Sequence, residues 1–368
     1  MEFEHPVEAT PASRGACVTL NRLQSMDKKL ISFFTLVFSV WLLAGCATRT
    51  YTNPVCAMDV PDPSVKKLAG QYYVFGTTGD SRMQDGRIFS LLRSSDLVHW
   101  TPLGGALVPP SEKYQQYWAP EITERDGKFY LYYAAGYPAM EHFVIRVGLS
   151  DRPEGPYVDS GSIVQDCETN RFTIDPYPFR DDDGQWYLFY ACDFPFNSPD
   201  AHAGTGIAAD RLSDMTHLSC ERQVIVRPAQ DWTLYETNRW MDAFQKRFAQ
   251  WHTIEAPCVV KHDGKYYCFY SGANWQTSRY GVDYVVSDNP LGPYRGAGDH
   301  ARVLHGIEGK IRGPGGATIV TGPDGKTQYM VYHAWNQAMT ERQLCIDRLV
   351  WTPNGPRVTP TTTPQPAP

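Results

Sequence analysis

One short phrase recurs five times along the 368-residue chain and constrains its fold more than any other feature. Each copy begins at a turn glycine and runs into an aromatic, β-forming stretch; the glycines are Gly70, Gly127, Gly184, Gly264 and Gly325. A turn glycine flanked by β-forming runs is typical of a β-hairpin. Each unit of about 60 residues therefore predicts a small sheet, which needs a neighbouring unit to bury its faces.

Stacking of these units around an axis predicts an all-β fold, a five-bladed β-propeller. Radial closure protects the strand edges and leaves an axial funnel. The 22 Tyr, 16 Phe and 10 Trp residues suit many short strands better than a helical bundle. Residues 195–252 lack strong alternation, so we expect an insertion there, a loop or short helix over one face. A β-sandwich whose strands are similar by chance is the alternative.

The N-terminal region has the character of an export signal. An apolar run at 31–45 follows two lysines and is shorter than the roughly 18 residues of a membrane-spanning helix, which is typical of a signal peptide. It ends in Leu-Ala-Gly-Cys46, which resembles a bacterial lipobox. We therefore interpret residues 1–45 as an upstream extension plus a lipoprotein signal peptide, with the true start at Met26. The alternative is a short buried segment with an incidental cysteine.

The remaining chain is predicted to hold one folded domain. We expect a short linker at 46–52, a propeller domain at 53–356 and a disordered Pro/Thr-rich tail at 357–368. Beyond Cys17 and Cys46 there are seven cysteines without a CxxC pair, which gives no support to a zinc site, and their pairing cannot be read from sequence. A net charge of −6 argues against nucleic-acid binding.

Acidic residues precede four of the five glycine phrases at similar distances, each within two residues of a proline: Asp62, Glu121, Asp175 and Glu255. The first strand of each propeller blade lines the axis, so we expect these side chains to approach one cavity. Crowded carboxylates with aromatic walls raise one pKa while another group stays ionised. Such a pair could serve a glycosidase as general acid and general base, although spacing does not assign the roles.

The motifs around these acids resemble glycoside hydrolase family 43, in family order and from about Asn53 to Trp351. They are Asp62-Pro-Ser-Val, Trp118-Ala-Pro-Glu, Ile174-Asp-Pro-Tyr-Pro-Phe and Glu255-Ala-Pro-Cys-Val. The resemblance implies a five-bladed propeller and an inverting mechanism. It also implies that Asp62 is the general base and Glu255 the general acid, while Asp175 orients the acid and tunes its pKa.

Other residues are secondary candidates. Trp118 is expected to stack on a sugar or to pack in the core, and Arg342 resembles a family arginine that reaches sugar hydroxyls, or lies on a solvated strand. His333 is a candidate for lining the same region, with burial as the alternative. Glu121 is interpreted as structural. Gly316 stands where family members often carry a histidine near an axial ion site, so we expect no metal and no other cofactor.

The resemblance implies a glycosidase acting on plant pentose polysaccharides or oligosaccharides, and the leader pattern adds the expectation that it is exported and lipid-anchored. An α-L-arabinofuranosidase is the first expectation, with a β-xylosidase or endo-arabinanase as alternatives. Two further hypotheses are a non-catalytic carbohydrate-binding propeller and a propeller enzyme of a neighbouring family acting on fructans or mannosides. The expected partner is a carbohydrate, with no nucleic acid and with membrane contact only through a lipid anchor at Cys46, at the periplasmic side or the cell surface.

Overall fold

Short antiparallel sheets follow one another along the chain in the computed structural model, which describes residues 49–110, 114–137, 141–167 and 171–368. The strands, numbered in chain order, are β1 Thr50–Tyr51, β2 Cys56–Asp59, β3 Ser64–Leu68, β4 Gln71–Gly76, β5 Ile88–Ser94, β6 Thr101–Leu107, β7 Gln116–Arg125, β8 Lys128–Tyr137, β9 His142–Ser150, β10 Val158–Ile163, β11 Thr173–Arg180, β12 Trp186–Phe194, β13 Gly204–Arg211, β14 Gln223–Val226, β15 Leu234–Met241, β16 Lys246–His262, β17 Lys265–Gly272, β18 Gly281–Ser287, β19 Arg312–Thr321, β20 Gln328–Trp335, β21 Arg342–Thr352, β22 Gly355–Val358 and β23 Gln365–Pro366. Single 3₁₀ turns flank β15, at Asp231–Thr233 and Asp242–Phe244.

The sheets are the blades of a five-bladed β-propeller, as the repeat predicts. Blade 1 is β3–β6, blade 2 is β7–β10, blade 3 is β11–β14, blade 4 is β16–β18, and blade 5 is β19–β22 with β2. All five repeated glycines lie in the turn between the first two strands of a blade and have positive φ values of 70–88°. Glycine adopts this conformation without the steric cost that a side chain adds. The repeated phrase is therefore the inner hairpin of each blade.

The ring closes by pairing a strand from one end of the chain with a blade from the other. Strand β2 pairs with β21, and Cys56 lies opposite Leu344. A buried cluster then joins blade 1 to blade 5, with Val65 and Val74 from one and Val331 and Ile346 from the other. This closure removes the free edges that an open sheet would expose.

The predicted insertion at 195–252 is only partly an insertion. Strands β13 and β14 lie within that stretch and complete blade 3. The added element is a hairpin, not a helix: β15 pairs with the first half of β16, which then continues inward as the first strand of blade 4. The alternation is weak here because much of the hairpin is exposed on both faces.

The C-terminal segment differs from the expectation of a disordered tail. Strand β23 pairs with β1, which itself lies in the predicted linker, and the Thr361 side chain is buried against Asp347. Backbone hydrogen bonds and one buried hydroxyl give this low-complexity segment contacts that its composition does not reveal. The leader and Cys46 lie outside the described residues.

A disulfide joins Cys167 to Cys220 with a Cα–Cα distance of 5.9 Å. Five other cysteines of the described chain form no disulfide, namely Cys56, Cys192, Cys258, Cys268 and Cys345. No helix among the described residues is both long and apolar enough to cross a bilayer.

The closure makes a stability prediction. Ile346 is fully buried between blades 5 and 1, so Ile346→Ala should lower the free energy of unfolding by about 2–5 kcal/mol, as cavity-forming substitutions do. The matched control is Val350→Ala on the same strand, where the side chain is 46% exposed and a change within about 0.5 kcal/mol is expected. Urea unfolding measures both variants. Equal losses would contradict a closure that depends on the buried cluster.

Candidate active site

A sharp backbone feature repeats near the start of the inner strand in every blade. Residues at this position have left-handed φ values: Asp62 50°, Ala119 45°, Asp175 53°, Ala256 51° and Gly316 56°. The strand register shifts at this point in β7, β11, β16 and β19, so the feature is a bulge. A non-glycine residue held at positive φ costs about 1–3 kcal/mol and persists where its surroundings require it. We call this position the axial bulge.

The four predicted acids do not all occupy the same position relative to the axial bulge. Asp62 and Asp175 occupy it, and Glu255 lies one residue before it, but Glu121 lies two residues after it. Glu121 is 5% exposed and pairs with Lys66 Nζ at 3.5 Å. Burial raises the pKa of its carboxyl above the ordinary value, although Lys66 opposes this. It does not line the central pocket, and its interpretation as a structural residue fits this place.

Four of the five axial bulges are each held by a side chain from the preceding blade. The bulge N–H groups donate as follows: Asp62 to His333 Nδ1 at 3.1 Å, Ala119 to Thr77 Oγ1 at 2.8 Å, Ala256 to Asp175 Oδ2 at 2.9 Å, and Gly316 to Ser271 Oγ at 2.9 Å. These bonds cross between blades, so each blade helps to fix the backbone of the next. The side chains at the bulges are thereby aimed with little freedom.

Three of the predicted acids meet in one cavity of about 520 Å³ on the axis. Asp62 reaches it from blade 1, Asp175 from blade 3 and Glu255 from blade 4. The rest of the wall is mixed aromatic and polar, and comprises Asp59, Pro61, Thr77, Thr78, Gly79, Gln116, Trp118, Glu141, Phe143, Phe172, Ile174, Asp193, Thr205, Tyr235, Arg239, Met241, Trp251, Thr253, Trp275 and Arg342. The volume falls in the range of small-molecule sites.

Asp62 is held ionised. Its Oδ1 accepts a hydrogen bond from Arg342 Nη1 at 3.1 Å, and its Oδ2 accepts one from the Thr77 hydroxyl at 2.8 Å. Burial alone would raise the pKa of Asp62, but the Arg342 charge, His333 and the Thr77 hydrogen bond outweigh it and lower the pKa below the ordinary value. An ionised carboxylate beside open space can accept a proton from a water molecule.

The carboxyl groups of Glu255 and Asp175, in contrast, both have raised pKa values. Burial, together with the charge of Asp62, raises the pKa of Glu255 to about 7, against a hydrogen bond of 2.7 Å from the Tyr280 hydroxyl to Oε1. Burial and the nearby Glu255 raise the pKa of Asp175 as well. Two close buried carboxyls cannot both ionise easily, so the pair retains a proton near neutral pH. The pocket thus contains a proton acceptor and a proton donor.

Two of the secondary candidates, Trp118 and Arg342, line the pocket. The Trp118 ring also stacks on Phe143 with centroids 3.9 Å apart. Trp118 therefore forms part of the pocket wall and also packs against a neighbouring side chain. Arg342 is not on a solvated strand: its side chain is 14% exposed, and its guanidinium lies 4.6 Å from the Trp275 ring centroid. It contacts Asp62 directly and faces the cavity.

The expectation that His333 lines the pocket is wrong. His333 has no exposed surface and stacks on Tyr280, with ring centroids 5.9 Å apart. Its Nδ1 accepts the Asp62 N–H, so it supports the backbone of Asp62 from below. Burial lowers the pKa of His333 to about 3, which keeps the ring neutral and able to accept that bond.

Gly316 and His333 share the space beside Asp62. A Cβ on Gly316 would lie 2.8 Å from the His333 ring and 3.1 Å from Asp62 Oδ1, which excludes any larger side chain in this arrangement. The His333 Nδ1 already accepts a hydrogen bond, so that atom is not available to a cation. The residues at this place do not fit the histidine-assisted ion site of the resembled family. That no metal or cofactor is required stays a prediction.

Several residues of the site were missed in the sequence. Glu141, Asp193, Tyr235 and Arg239 line the pocket but lie outside the repeated phrases. The hairpin that carries Tyr235 and Arg239 has no counterpart in the other blades, so comparison of repeats gives no signal for it. Tyr280 directly precedes β18, and only the folded chain brings its hydroxyl to Glu255.

Comparison with known proteins agrees with this architecture. The model of the family "Glycosyl hydrolases family 43" matches residues 51–356. The β-D-galactofuranosidase xynD of Aspergillus niger is 25% identical over 333 residues, covering 85% of this chain and 86% of that protein. The xylosidase/arabinosidase 43A of Humicola insolens is 30% identical over 291 residues, covering 67% and 81% respectively.

Solved structures give the same result. A thermostable family-43 glycoside hydrolase superposes with a TM-score of 0.73 at 31% identity, covering 87% of this chain and 99% of that one. Residues 51–356, which the family model matches, include the three axial carboxylates Asp62, Asp175 and Glu255. The chain is therefore a glycosidase that belongs to glycosyl hydrolase family 43.

Proposed function

We propose that this glycosidase is an inverting α-L-arabinofuranosidase that removes terminal residues from pentose-containing plant polysaccharides or their oligosaccharides. The observation that carries the proposal is the opposite electrostatic condition of two axial carboxyls, Asp62 and Glu255, in one pocket. The Arg342 charge and the Thr77 hydrogen bond lower the pKa of Asp62 against the effect of its burial, whereas burial and the charge of Asp62 raise the pKa of Glu255. One ionised and one protonated carboxyl are what single-step glycoside hydrolysis requires.

The proposed reaction is a direct displacement by water. Asp62 accepts a proton from the water as it attacks the anomeric carbon, and Glu255 donates its proton to the leaving oxygen as the glycosidic bond breaks. Asp175 accepts the Ala256 N–H, so it holds the backbone next to Glu255, and because burial and Glu255 raise its own pKa, the two carboxyls together retain a proton. Arg342 keeps Asp62 ionised and faces the bound sugar.

The charge of the wall favours a neutral sugar. Six carboxyl groups line the pocket against two arginines, Arg239 and Arg342. An anionic uronic acid would be repelled by this excess, whereas the hydroxyls of a pentose can bond with either kind of group. Aromatic surfaces at Trp118 and Phe143 supply apolar contact for a sugar face.

One point favours an arabinofuranosidase over the alternatives. The two relatives described above are, by name, a galactofuranosidase and a xylosidase/arabinosidase, so furanosides and arabinosides both occur among similar proteins. A β-xylosidase and an endo-arabinanase remain the alternative hypotheses.

Product profiling on linear arabinan, branched arabinan and arabinoxylan tests the proposal. Free arabinose should accumulate from the start, without intermediate oligosaccharides, and proton NMR should detect the inverted anomer as the first product. Release of xylose would favour a β-xylosidase, and early oligosaccharides an endo-arabinanase. Glu255→Gln and Asp62→Asn should each reduce hydrolysis of a natural oligosaccharide by about 10²- to 10⁴-fold. Glu221→Gln, at an exposed glutamate outside the pocket, is the matched control.

The pH profile follows from the two pKa directions. The acid must be protonated, so kcat/KM should fall as the pH rises through about 7, and the base must be ionised, so the acidic limb should lie below the usual aspartate range. Tyr280→Phe removes a hydrogen bond that lowers the pKa of Glu255, so the alkaline limb should move to higher pH.

A matched control separates this effect from general loss of a hydroxyl. Tyr72 donates to the Thr321 carbonyl at 2.9 Å, away from the pocket, so Tyr72→Phe should leave the limb in place. An alkaline limb that stays fixed or moves to lower pH in Tyr280→Phe would exclude Glu255 as the proton donor.

We also propose that the chain is exported and anchored to the cell envelope by a lipid on Cys46. The support is the basic, apolar and lipobox pattern that ends at this cysteine. Metabolic labelling with a fatty acid should label the protein expressed from the wild-type sequence and should not label the Cys46→Ala variant. An unlabelled wild-type protein would refute the anchor.

A further inference from the structure

The pocket has an off-axis part that the proposed acid–base chemistry does not use. We call it the distal lobe and define it by the lining residues Glu141, Asp193, Thr205, Tyr235, Arg239 and Met241. They come from the start of β9, from β12 and β13 of blade 3, and from the inserted strand β15. The axial acids, in contrast, come from inner strands. A cavity that continues beyond the reacting groups has room for more of the substrate than one ring.

Two polar groups from blade 3 form the floor of the distal lobe. Asp193 is 4% exposed, and its Oδ1 accepts a hydrogen bond of 2.9 Å from the Thr205 hydroxyl. Burial raises the pKa of Asp193 to about 7, so this carboxyl is partly protonated near neutral pH. A carboxyl in that condition can donate to or accept from a sugar hydroxyl.

Arg239 closes the lobe from the inserted hairpin. Its Nη2 lies 3.4 Å from Glu141 Oε1 and its Nη1 lies 3.4 Å from Glu236 Oε2, both long for charge-assisted bonds. Its buried Nε has no hydrogen-bond partner among the described residues. The guanidinium also lies 4.9 Å from the centroid of the Tyr235 ring. The Nε atom is buried, but the side chain as a whole is 23% exposed, so Nη1 and Nη2 are the donors that could bond to a ligand hydroxyl.

The lobe lies on the side of the proton donor. Thr205 of the lobe pairs with Thr253, which lies two residues before Glu255 on β16, and all three side chains line the pocket. Tyr235 is also close enough to Glu255 for that carboxylate to contribute, after burial, to raising the pKa of the Tyr235 hydroxyl, and the Arg239 guanidinium lies over the Tyr235 ring. Asp62 and Arg342 form the other side. A general acid faces the leaving oxygen, so whatever lies beyond Glu255 contacts the leaving group.

We propose that the distal lobe binds the sugar unit on the leaving-group side of the scissile bond, and that Arg239 is the residue that selects for it. This inference rests on the proposed function, because it uses Glu255 as the acid. The ligand class is a neutral pentose unit of an oligosaccharide. Glu141 and Glu236 balance the Arg239 charge, so the lobe offers directed hydrogen bonds and no net attraction for a uronic acid.

Two substrates separate this role from a structural one. An aryl arabinofuranoside has no second sugar, whereas arabinotriose places one in the lobe. Arg239→Ala should reduce kcat/KM for arabinotriose by roughly 10- to 100-fold, the loss expected for hydrogen bonds to a charged group, and should change the aryl substrate less than about twofold. Arg239→Lys should recover part of the loss, since it restores charge but not the forked geometry.

The matched control is Arg247→Ala. Arg247 lies on the partner strand of the same hairpin and faces the Trp240 ring, outside the pocket lining, so both substrates should be unaffected. An equal loss on both substrates in Arg239→Ala would assign Arg239 to holding the hairpin and overturn the proposal. No loss on arabinotriose would overturn it as well.

A binding measurement keeps this test independent of the proposed function. Titration calorimetry of arabinotriose and xylotriose against Asp62→Asn, with and without Arg239→Ala, measures how tightly each triose binds when it is not hydrolysed. The effect of Arg239→Ala on that affinity is the contribution of the distal lobe. Weaker binding of a triose in the double variant supports the lobe even if the wild type cleaves neither arabinoside, an outcome that would refute only the proposed arabinofuranosidase. Unchanged binding of both trioses refutes the lobe.

Discussion

Hydrogen bonds between neighbouring blades, made at the axial bulges, are the constraint on which the site depends. A bulge turns the chain sharply beside the axis and leaves its N–H without a ladder partner, and a side chain from the preceding blade accepts that N–H. A buried donor left unpaired would be costly, so these acceptors stabilise both the bulge and the contact between blades. The same hydrogen bonds therefore hold neighbouring blades together and fix the directions of the carboxylates.

Two of these acceptors belong directly to the site. Asp175 accepts the Ala256 N–H and so fixes the residue that follows Glu255, while His333 accepts the Asp62 N–H. Each links the segment of one proposed reacting group to the preceding blade. The distances between the acid and the base are thus set by the spacing of whole blades, which is far stiffer than a loop. Such preorganisation avoids rearrangement during the reaction.

The three carboxyls differ in charge because their neighbours differ, although burial acts on all of them. Asp62 has Arg342 and the Thr77 hydroxyl, and both favour the ionised form. Glu255 has one hydroxyl and two nearby acids, so burial prevails and the proton is retained. The sequence predicted Arg342 as a residue near the sugar, and the structure shows that its guanidinium also bonds directly to Asp62. The same charge that would meet a substrate also keeps the proposed base ionised.

The sequence alone determined the five inner hairpins, the propeller and three of its axial acids, because each depends on local turn chemistry repeated at regular intervals. It also placed Trp118 and Arg342 near the site. Only the tertiary structure decided that Glu121 pairs with Lys66 outside the pocket lining, that His333 supports Asp62 from a buried position, and that the C-terminal segment pairs with β1. It alone brought Arg239 and Asp193 to the distal lobe. The reason is that these contacts join segments distant in sequence, and no local pattern specifies which blade faces which.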